Sequence, residues 1–343
     1  MTDIKIIEGV GDGELREYVL GNPRTLIYAE PRFLGLVSEH LAASCFWLVA
    51  RREGVVKGVM PFLVKNGPLG PAYNSLAYYG SNGGVIQAEN DLASKSALVD
   101  AFYDMAVQAK AVAATIITNP LEADAAFYND HVRYDYRDER IGQITHFPAR
   151  FEDLLASFED PRPRNIRRAI KEGVTVVRGG PEALDFLYRT HVDNITAIGG
   201  IPKKREFFDA MLTRMNNSDW AVFTASIDGK AIAALLLFYF NRTVEYFTPV
   251  IVDSHRSSQA LTLVIYEAMR DAMQRDFNSW NWGGTWLNQG GVYDFKKRWG
   301  TSEYSYFYYT RVMNLKLTSC EPSFLLEHYP GFFLIPFNRL KLP

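Results

Sequence analysis

The same order of predicted elements occurs twice in this 343-residue chain. In each half, two strands joined by a short turn are followed by a third strand, a long amphipathic helix and a fourth strand. The turns are Glu53-Gly54 and Asp228-Gly229, and equivalent elements lie about 170 residues apart. This repeat predicts a mixed α/β (α+β) fold built from two tandem copies of one unit, each with a mixed central sheet flanked by helices.

The element boundaries follow from hydrophobic periodicity and turn residues. The predicted strands are 46–51, 55–64, 75–79 and 114–118 in the first half and 221–227, 231–240, 244–250 and 280–282 in the second, with helices over 92–111 and 257–275. The proline-containing stretch 148–163 separates an N-terminal domain, residues 1–150, from a C-terminal domain, residues 151–343. The apolar tail 321–343 is expected to pack back on the first domain, with contact to a membrane surface as the alternative.

Composition excludes several classes of protein. Because the net charge is −2 and the pI is about 6.3, the chain lacks the overall positive charge of a dedicated DNA-binding protein. The two cysteines, Cys45 and Cys320, show no metal-binding or disulfide-framework spacing. No apolar segment is long enough to span a membrane or to direct secretion. These features favour a protein of the cytoplasm.

Catalytic motifs of several enzyme classes are absent from the sequence. There is no Gly-x-Ser-x-Gly, no Walker loop, no Gly-x-Gly-x-x-Gly after a strand and no His-Glu-x-x-His, and the six histidines are scattered. We therefore predict no metal site and no tightly bound cofactor. A reaction that needs positioning and charge stabilisation, such as direct acyl transfer to an amine, remains.

Two segments of the second half are specific enough to suggest a family. Gly283-Gly284 follows a predicted strand, and Asp294-Phe295-Lys296-Lys297-Arg298-Trp299-Gly300 comes about ten residues later. The basic segment 164–174, with Arg164, Arg167, Arg168 and Lys171 at helical spacing, precedes them. In this order the segments resemble the C-terminal half of the Fem-type (FemAB-like) enzymes of the GNAT acyltransferase superfamily.

The resemblance implies roles for several residues. Lys296 would stabilise negative charge on the acyl group, and the basic helix would border the acceptor site, with Arg164, Asn165 and Arg168 as its ligands. For Lys296, spacing alone favours a solvated helical turn whose buried side is formed by Phe295 and Trp299. Arginine side chains match phosphate geometry, so a phosphate-bearing acceptor is expected; a solvated face paired with Glu172 and Asp160 is the alternative.

Further candidates come from residue type and position. Glu245 and Asp294 are the carboxylates that could act as general base, and the sequence does not choose between them. Tyr246 and Phe295 are candidate substrate contacts. At the predicted helix start, Arg256, Ser257 and Ser258 are candidate ligands for the phosphates of an acyl-coenzyme A, although this segment lacks the glycines of the GNAT pattern and simple helix capping is the alternative.

We therefore predict a bacterial N-acyltransferase. It would move an acyl group, expected to come from acyl-coenzyme A, to an amino group of a cell-envelope or polysaccharide precursor such as a nucleotide-linked amino sugar. One alternative is aminoacyl-tRNA-dependent addition to a peptidoglycan precursor, which the lack of a coiled-coil arm disfavours. Another is a non-catalytic ligand-binding protein of the same fold.

Overall fold

The computed structural model describes residues 2–78, 83–287 and 289–340. Within them the chain forms two compact units, one made of residues 1–141 and 305–343 and the other of residues 142–304. The predicted division of the chain into domains 1–150 and 151–343 stays a prediction. By its contacts, the segment from residue 305 onward belongs to the first unit.

The described residues contain twelve strands and ten α-helices. The strands are β1 (Asp3–Glu8), β2 (Ser44–Arg52), β3 (Val55–Lys65), β4 (Ala72–Asn74), β5 (Ala113–Ile117), β6 (Tyr136–His146), β7 (Thr175–Gly179), β8 (Trp220–Ile227), β9 (Lys230–Phe240), β10 (Thr243–Ile251), β11 (Ser279–Trp286) and β12 (Thr301–Val312). The helices are α1 (Gly13–Leu20), α2 (Pro31–Leu41), α3 (Leu92–Gln108), α4 (Ala125–His131), α5 (Arg162–Lys171), α6 (Leu184–Ala197), α7 (Arg205–Arg214), α8 (Ala260–Gln274), α9 (Gly290–Lys297) and α10 (Pro322–His328).

The two units repeat one succession of strand pairings. In the first unit the order is β1-β2-β3-β4-β5-β12, and all pairs are antiparallel except the parallel pair β4/β5. In the second unit the order is β7-β8-β9-β10-β11-β6, in which β7 to β10 pair antiparallel and β10/β11 is parallel. A long helix, α3 or α8, connects the parallel strands in each. The prediction of two tandem mixed α/β units is confirmed.

The hairpin turns of the two units also match. Glu53 and Gly54 have φ of 52° and 79°, and Asp228 and Gly229 have φ of 49° and 74°. Two consecutive residues with positive φ are typical of a type I′ turn, whose twist suits a tight hairpin. An acidic residue followed by glycine is therefore a local signal for the hairpin turn in both units.

Each unit has its own apolar core around its connecting helix. In the second unit, α8 packs its buried side against β8, β9, β10 and α5. Leu263, Val264, Ile265, Ala268 and Met269 are all at most 3% exposed, and full burial of a large aliphatic side chain contributes about 1.5–3 kcal/mol. The helix is thus held to the sheet by its apolar side, as its periodicity predicts.

The C-terminal segment contributes to a smaller core of the first unit. Leu317, Leu325, Tyr329, Leu334, Ile335 and Leu340 cluster with Ala72, Val112 and Ala113. The Tyr329 hydroxyl donates to Gly70 O at 2.8 Å and accepts from Leu69 N at 2.9 Å. No helix among the described residues is long and apolar enough to cross a membrane.

Three predicted boundaries were wrong. The third strand of the first half is β4, residues 72–74, and not 75–79, of which Tyr79 lies outside the described residues. Strand β11 continues through Gly283-Gly284 to Trp286. Helix α8 begins at Ala260 and not at Ser257, because Asp253–Ser258 forms a 3₁₀ turn and Gln259 has a left-handed φ of 59°. In each case a tertiary or turn conformation overrides local propensity.

Candidate active site

The parallel strands β10 and β11 pair along only part of their length. Their ladder joins Thr243–Glu245 to Ser279–Asn281, and a bulge interrupts the pairing of β10 with β9 between Tyr246 and Thr248. Both strands then continue, to Ile251 and Trp286. Among the described residues, the main chain beyond Glu245 is therefore not paired with β11. Ligands of open α/β sheets bind outside the carboxyl ends of parallel strands, so this end of the pair is the place to look for a site.

Two polar residues lie side by side where the ladder ends. Glu245 and Asn281 are register partners and are 2% and 0% exposed. Asn281 Nδ2 donates to both carboxylate oxygens of Glu245, at 3.0 and 2.9 Å, and Asn281 Oδ1 accepts from Gly283 N at 2.9 Å. A carboxylate held in this way is buried but keeps hydrogen bonds, which removes most of the cost of burying it.

Lys296, in the last turn of α9, is buried against the end of β11. Its Nζ donates to Gly283 O at 3.3 Å, Gly284 O at 3.1 Å and Thr285 Oγ1 at 2.9 Å. Burial lowers the pKa of Lys296 to about 8, and the negative charge of Glu245 opposes that shift. Because the side chain is 6% exposed, the solvated turn that was the alternative for this residue is excluded.

A second layer of hydrogen bonds holds the partners of Lys296. Thr285 Oγ1 donates to Gln143 Oε1 at 3.0 Å, and Gln143 Nε2 donates to the carbonyl of Tyr293 at 3.2 Å. Strand β6 thus links β11 to α9 through a buried glutamine. This network orients the Thr285 hydroxyl so that its oxygen accepts from the lysine.

Arg162, at the start of α5, is a residue that the sequence analysis missed. It is 7% exposed, donates from Nη2 to the carbonyl of Phe295 at 3.0 Å and lies over the rings of Phe295 and Trp299, at 4.3 and 5.1 Å. Burial and the charge of Arg298 lower its pKa to about 10. The sequence contained a signal for the burial of Arg162, because Arg162, Ile166 and Ala169 lie at helical spacing on the buried side of α5.

The aromatic candidates pack near this arginine. Tyr246 contacts Trp282 with ring centroids 4.9 Å apart, and Phe295 meets Trp282 edge to face at 6.1 Å. Burial raises the pKa of Tyr246, and the positive charge of Arg162 opposes the rise. Both side chains are half-buried, so each keeps some surface on which a substrate could pack.

The two carboxylate candidates have different environments. Glu245 is buried beside Asn281 and acts electrostatically on Lys296, whereas Asp294 is exposed on α9. The structure thus brings Glu245 and Lys296 into one buried site and leaves Asp294 on the surface. The roles of both as general base stay predictions.

Helix α5 presents its basic residues to solvent. Arg164, Arg167, Arg168 and Lys171 are exposed, and Asn165 is half-buried. Arg168 forms an ion pair with Glu172 at 2.7 Å, so one of the two carboxylates named as alternative partners is used. Ile166 is buried, whereas Ile170, one turn further along the helix, is 55% exposed. Gly173 follows with φ of 77°, as a C-terminal glycine should.

The residues proposed for the donor phosphates lie in the 3₁₀ turn before α8. Arg256 is exposed and pairs with Asp253 at 2.7 Å, and Ser257 is exposed. Ser258 is buried, and its hydroxyl donates to the carbonyl of His255 at 2.6 Å. Gln259, the N-cap residue of α8, makes no capping hydrogen bond, but Ser258 Oγ accepts from Ala260 N at 3.3 Å. The other amide groups of the first turn of α8 are a suitable partner for a phosphate.

Comparison with known proteins agrees with this geometry. Residues 162–297 match the family model described as the acetyltransferase (GNAT) domain, and no curated protein matches the chain in sequence. Among solved structures, FemX has a TM-score of 0.75 and 16% identity over 91% of this chain and 98% of FemX.

Two other solved structures have lower scores. The C-terminal domain of a putative lysylphosphatidylglycerol synthetase from Agrobacterium fabrum has a TM-score of 0.51 and 15% identity, covering 81% of this chain and 88% of that domain. A tandem GNAT protein from the clavulanic acid biosynthesis pathway has a TM-score of 0.50 and 11% identity, covering 91% and 99%. At such identities these likenesses show a shared fold.

The matched segment contains every residue of the buried site except Gln143 and Trp299. It begins at Arg162 and ends at Lys297, and so includes α5, the β10-α8-β11 unit and α9. Residues 162–297 therefore match an acetyltransferase (GNAT) domain, in a chain that shares the fold of FemX.

Proposed function

We propose that this protein transfers an acyl group from an acyl-coenzyme A to an amino group of a phosphate-bearing cell-envelope precursor, such as a nucleotide-linked amino sugar. The observation that carries the proposal is the buried ammonium of Lys296 at the end of the parallel pair β10/β11. In the reaction the amine nitrogen attacks the thioester carbonyl, the carbon–sulfur bond breaks, and the amine proton is lost while the thiolate gains one.

The environment of Lys296 suits charge stabilisation. Its pKa of about 8 keeps the side chain protonated at neutral pH, and three oxygen partners hold it in place. A cation fixed in a water-poor site stabilises the oxyanion of the tetrahedral intermediate without reorganisation during the reaction. Glu245 is the carboxylate that we propose to accept the amine proton, directly or through water.

The donor is assigned to the end of β10 and the start of α8. The main chain after Glu245 pairs with β9 but not with β11, and its edge toward β11 offers hydrogen bonds to the amide groups of a pantetheine arm. The N–H groups of the first turn of α8 beyond Ala260 are offered to the pyrophosphate. Arg256 and Ser257 are exposed beside that turn. Gln259 adopts a left-handed φ of 59°, so the turn that a glycine commonly makes is formed here without one.

The acceptor phosphates are assigned to α5. Arg164, Arg167, Arg168 and Lys171 place four exposed cations on one short helix. Like charges at this spacing cost the helix a few tenths of a kcal/mol per pair, and a diphosphate would remove that cost. Of these side chains, Arg168 must give up or share Glu172 to bind a phosphate.

The test is a coupled pair of measurements on the purified chain. Calorimetric titration with acetyl-coenzyme A, against ADP and inorganic phosphate, is expected to show saturable binding that exceeds both controls. Incubation with acetyl-coenzyme A and a panel of UDP-amino sugars is expected to release free thiol only when an amine acceptor is present. Absence of acetyl-coenzyme A binding would contradict the donor assignment and favour aminoacyl-tRNA. Binding without thiol release for any UDP-amino sugar would contradict the acceptor class.

A further inference from the structure

The first unit contains a cavity that the proposed acyl transfer does not use. It measures about 310 Å³ and lies between the segment that leads into α3 and the segment that follows β5. Six of its lining residues carry the argument: Arg24, Glu89, Lys95, Glu122, Asp124 and Phe127. This place, outside the carboxyl end of a parallel strand, is where α/β sheets bind ligands.

The charged part of the cavity wall consists of two ion pairs and the exposed carboxylate of Glu89. Lys95 Nζ donates to Asp124 Oδ2 at 2.6 Å, and Arg24 Nε donates to Glu122 Oε1 at 2.9 Å. Lys95 is 7% exposed and also lies 4.9 Å from the ring centroid of Phe127. Burial raises the pKa of both Glu122 and Asp124, and the cations beside them oppose the rise. The two carboxylates therefore carry an electrostatic cost in the empty cavity.

One carboxylate oxygen in this wall has no hydrogen-bond partner outside its own residue. Asp124 Oδ1 is buried and has no hydrogen-bond partner on another described residue, although a buried carboxylate oxygen normally has one. Asp124 also precedes α4 without capping it through its side chain. A ligand N–H group directed at Asp124 would remove the cost of the unpaired oxygen.

The charges point to a ligand that carries both signs. A cation alone would complement the carboxylates but would meet Lys95 and Arg24, and an anion alone would meet Glu122 and Asp124. An ammonium group beside the two carboxylates, with a carboxylate toward Arg24 at the mouth, meets opposite charges at both ends. The side chain of Arg24 is 51% exposed and therefore accessible there.

The volume limits the size of that ligand. An engineered cavity of about 150 Å³ holds benzene, and this cavity is about twice as large. We propose that the cavity binds a free α-amino acid, with its ammonium group on Asp124 and Glu122 and its carboxylate toward Arg24. The site is distinct from the one around Lys296, and the proposal does not depend on the nature of the acyl donor or acceptor.

The proposal is tested by calorimetric titration of the full chain, without acyl donor, with glycine, L-alanine, L-serine and L-lysine. N-acetyl-L-alanine, which lacks the ammonium, and ethylamine, which lacks the carboxylate, are the ligand controls. At least one amino acid is expected to bind saturably, and both controls are expected to bind at least tenfold more weakly. Failure of all four amino acids to bind, or equal binding of either control, would overturn the proposal.

Variants locate the binding. Asp124→Asn removes the carboxylate, whereas Ala123→Trp fills the cavity from an exposed lining position without changing any charge; both are expected to weaken binding at least tenfold. Asp130→Asn, an exposed change on α4, and Lys296→Met are expected to leave it unchanged. If Ala123→Trp bound the amino acid as the unmodified chain does, the assigned cavity would be wrong even if Asp124→Asn failed to fold.

Discussion

Each of the two units buries a lysine beyond its parallel strand pair, but the partners of the two ammonium groups differ. In the first unit, Lys95 donates to the carboxylate of Asp124 at 2.6 Å. In the second, Lys296 donates to two backbone carbonyls and a hydroxyl. One succession of strands and one connecting helix thus support two different electrostatic environments.

The difference shows that one repeated fold can hold a lysine whose charge is neutralised by a carboxylate and a lysine whose charge is available to a substrate. A carboxylate partner cancels the charge of Lys95 locally through one oxygen of Asp124, while the other oxygen makes no hydrogen bond to another described residue. Neutral oxygen partners orient Lys296 without cancelling its charge, and burial lowers its pKa to about 8. The second arrangement is costly for folding and useful for stabilising an oxyanion.

The largest expected effect is on catalysis by the second unit. Lys296→Met is expected to lower kcat/KM for acyl transfer by about 10²- to 10³-fold, the usual cost of removing one group that stabilises an oxyanion. Lys297→Met, at the exposed neighbouring position, is the matched control and should retain nearly full activity. Steady-state thiol release measures both. Equal kcat/KM values for the two variants would contradict the proposed role of Lys296 in stabilising the oxyanion.

The next largest effect is on the stability of the first unit. Lys95→Met leaves Asp124 as a buried, uncompensated carboxylate, and breaking such a pair is expected to cost about 3 kcal/mol of unfolding free energy. Urea denaturation followed by tryptophan fluorescence measures it. The double variant Lys95→Met/Asp124→Asn should recover most of the loss. If the single and double variants were equally unstable, the ion pair would not be the reason for the loss.

The pH dependence of stability should distinguish Lys296 from a solvated lysine. Between pH 8 and its ordinary value of 10.5, Lys296 is deprotonated when folded and protonated when unfolded. The unfolded state binds more protons there, so this residue makes stability rise with pH. The unmodified chain should gain about 3 kcal/mol relative to Lys296→Met across that window. Parallel urea curves at pH 8 and 10.5 with a constant difference would contradict the lowered pKa.

The smallest effect concerns the exposed cations of α5, for which the first unit has no predicted counterpart. Arg164→Ala is expected to raise KM for a phosphate-bearing acceptor about fivefold with little change in kcat, since an exposed charge contributes up to about 1 kcal/mol. Arg189→Ala, an exposed arginine on α6, should leave KM unchanged. A similar KM for the unmodified chain, Arg164→Ala and Arg189→Ala would contradict the binding of acceptor phosphates by α5.

Local signals predicted most of the fold. The acidic-glycine turns, the apolar side of the connecting helix and the alternating strands of both halves are set by residues close in sequence, and their placement agrees with the structure to within a few residues. The prediction contained no strands at β1, β6, β7 and β12, and it failed at β4, at the end of β11 and at the start of α8. After β4 the backbone follows hydrogen bonds from a distant segment, such as Ser75 N to Thr115 O at 2.9 Å, and before α8 it forms a 3₁₀ turn that the helical periodicity does not encode.

The candidate site was predicted in part. Lys296 was selected through its motif, but its burial depends on Gly283, Gly284 and Thr285, which lie more than ten residues away along the chain. Arg162 was missed because the basic stripe directed attention to the exposed side of α5. Asn281 was missed as well, although a polar residue between Trp280 and Trp282 in a buried strand is itself a signal.

The sequence by itself determined the duplicated α/β unit, because turn chemistry and hydrophobic period act over a few residues. It also determined the resemblance of the second half to Fem-type acyltransferases, because that likeness rests on contiguous motifs. Only the tertiary structure decided which charges are buried and what surrounds them. The two buried lysines acquire different roles from partners that the fold brings together, since the free energy of a charge depends on its solvation and its neighbours and not on its position in the chain.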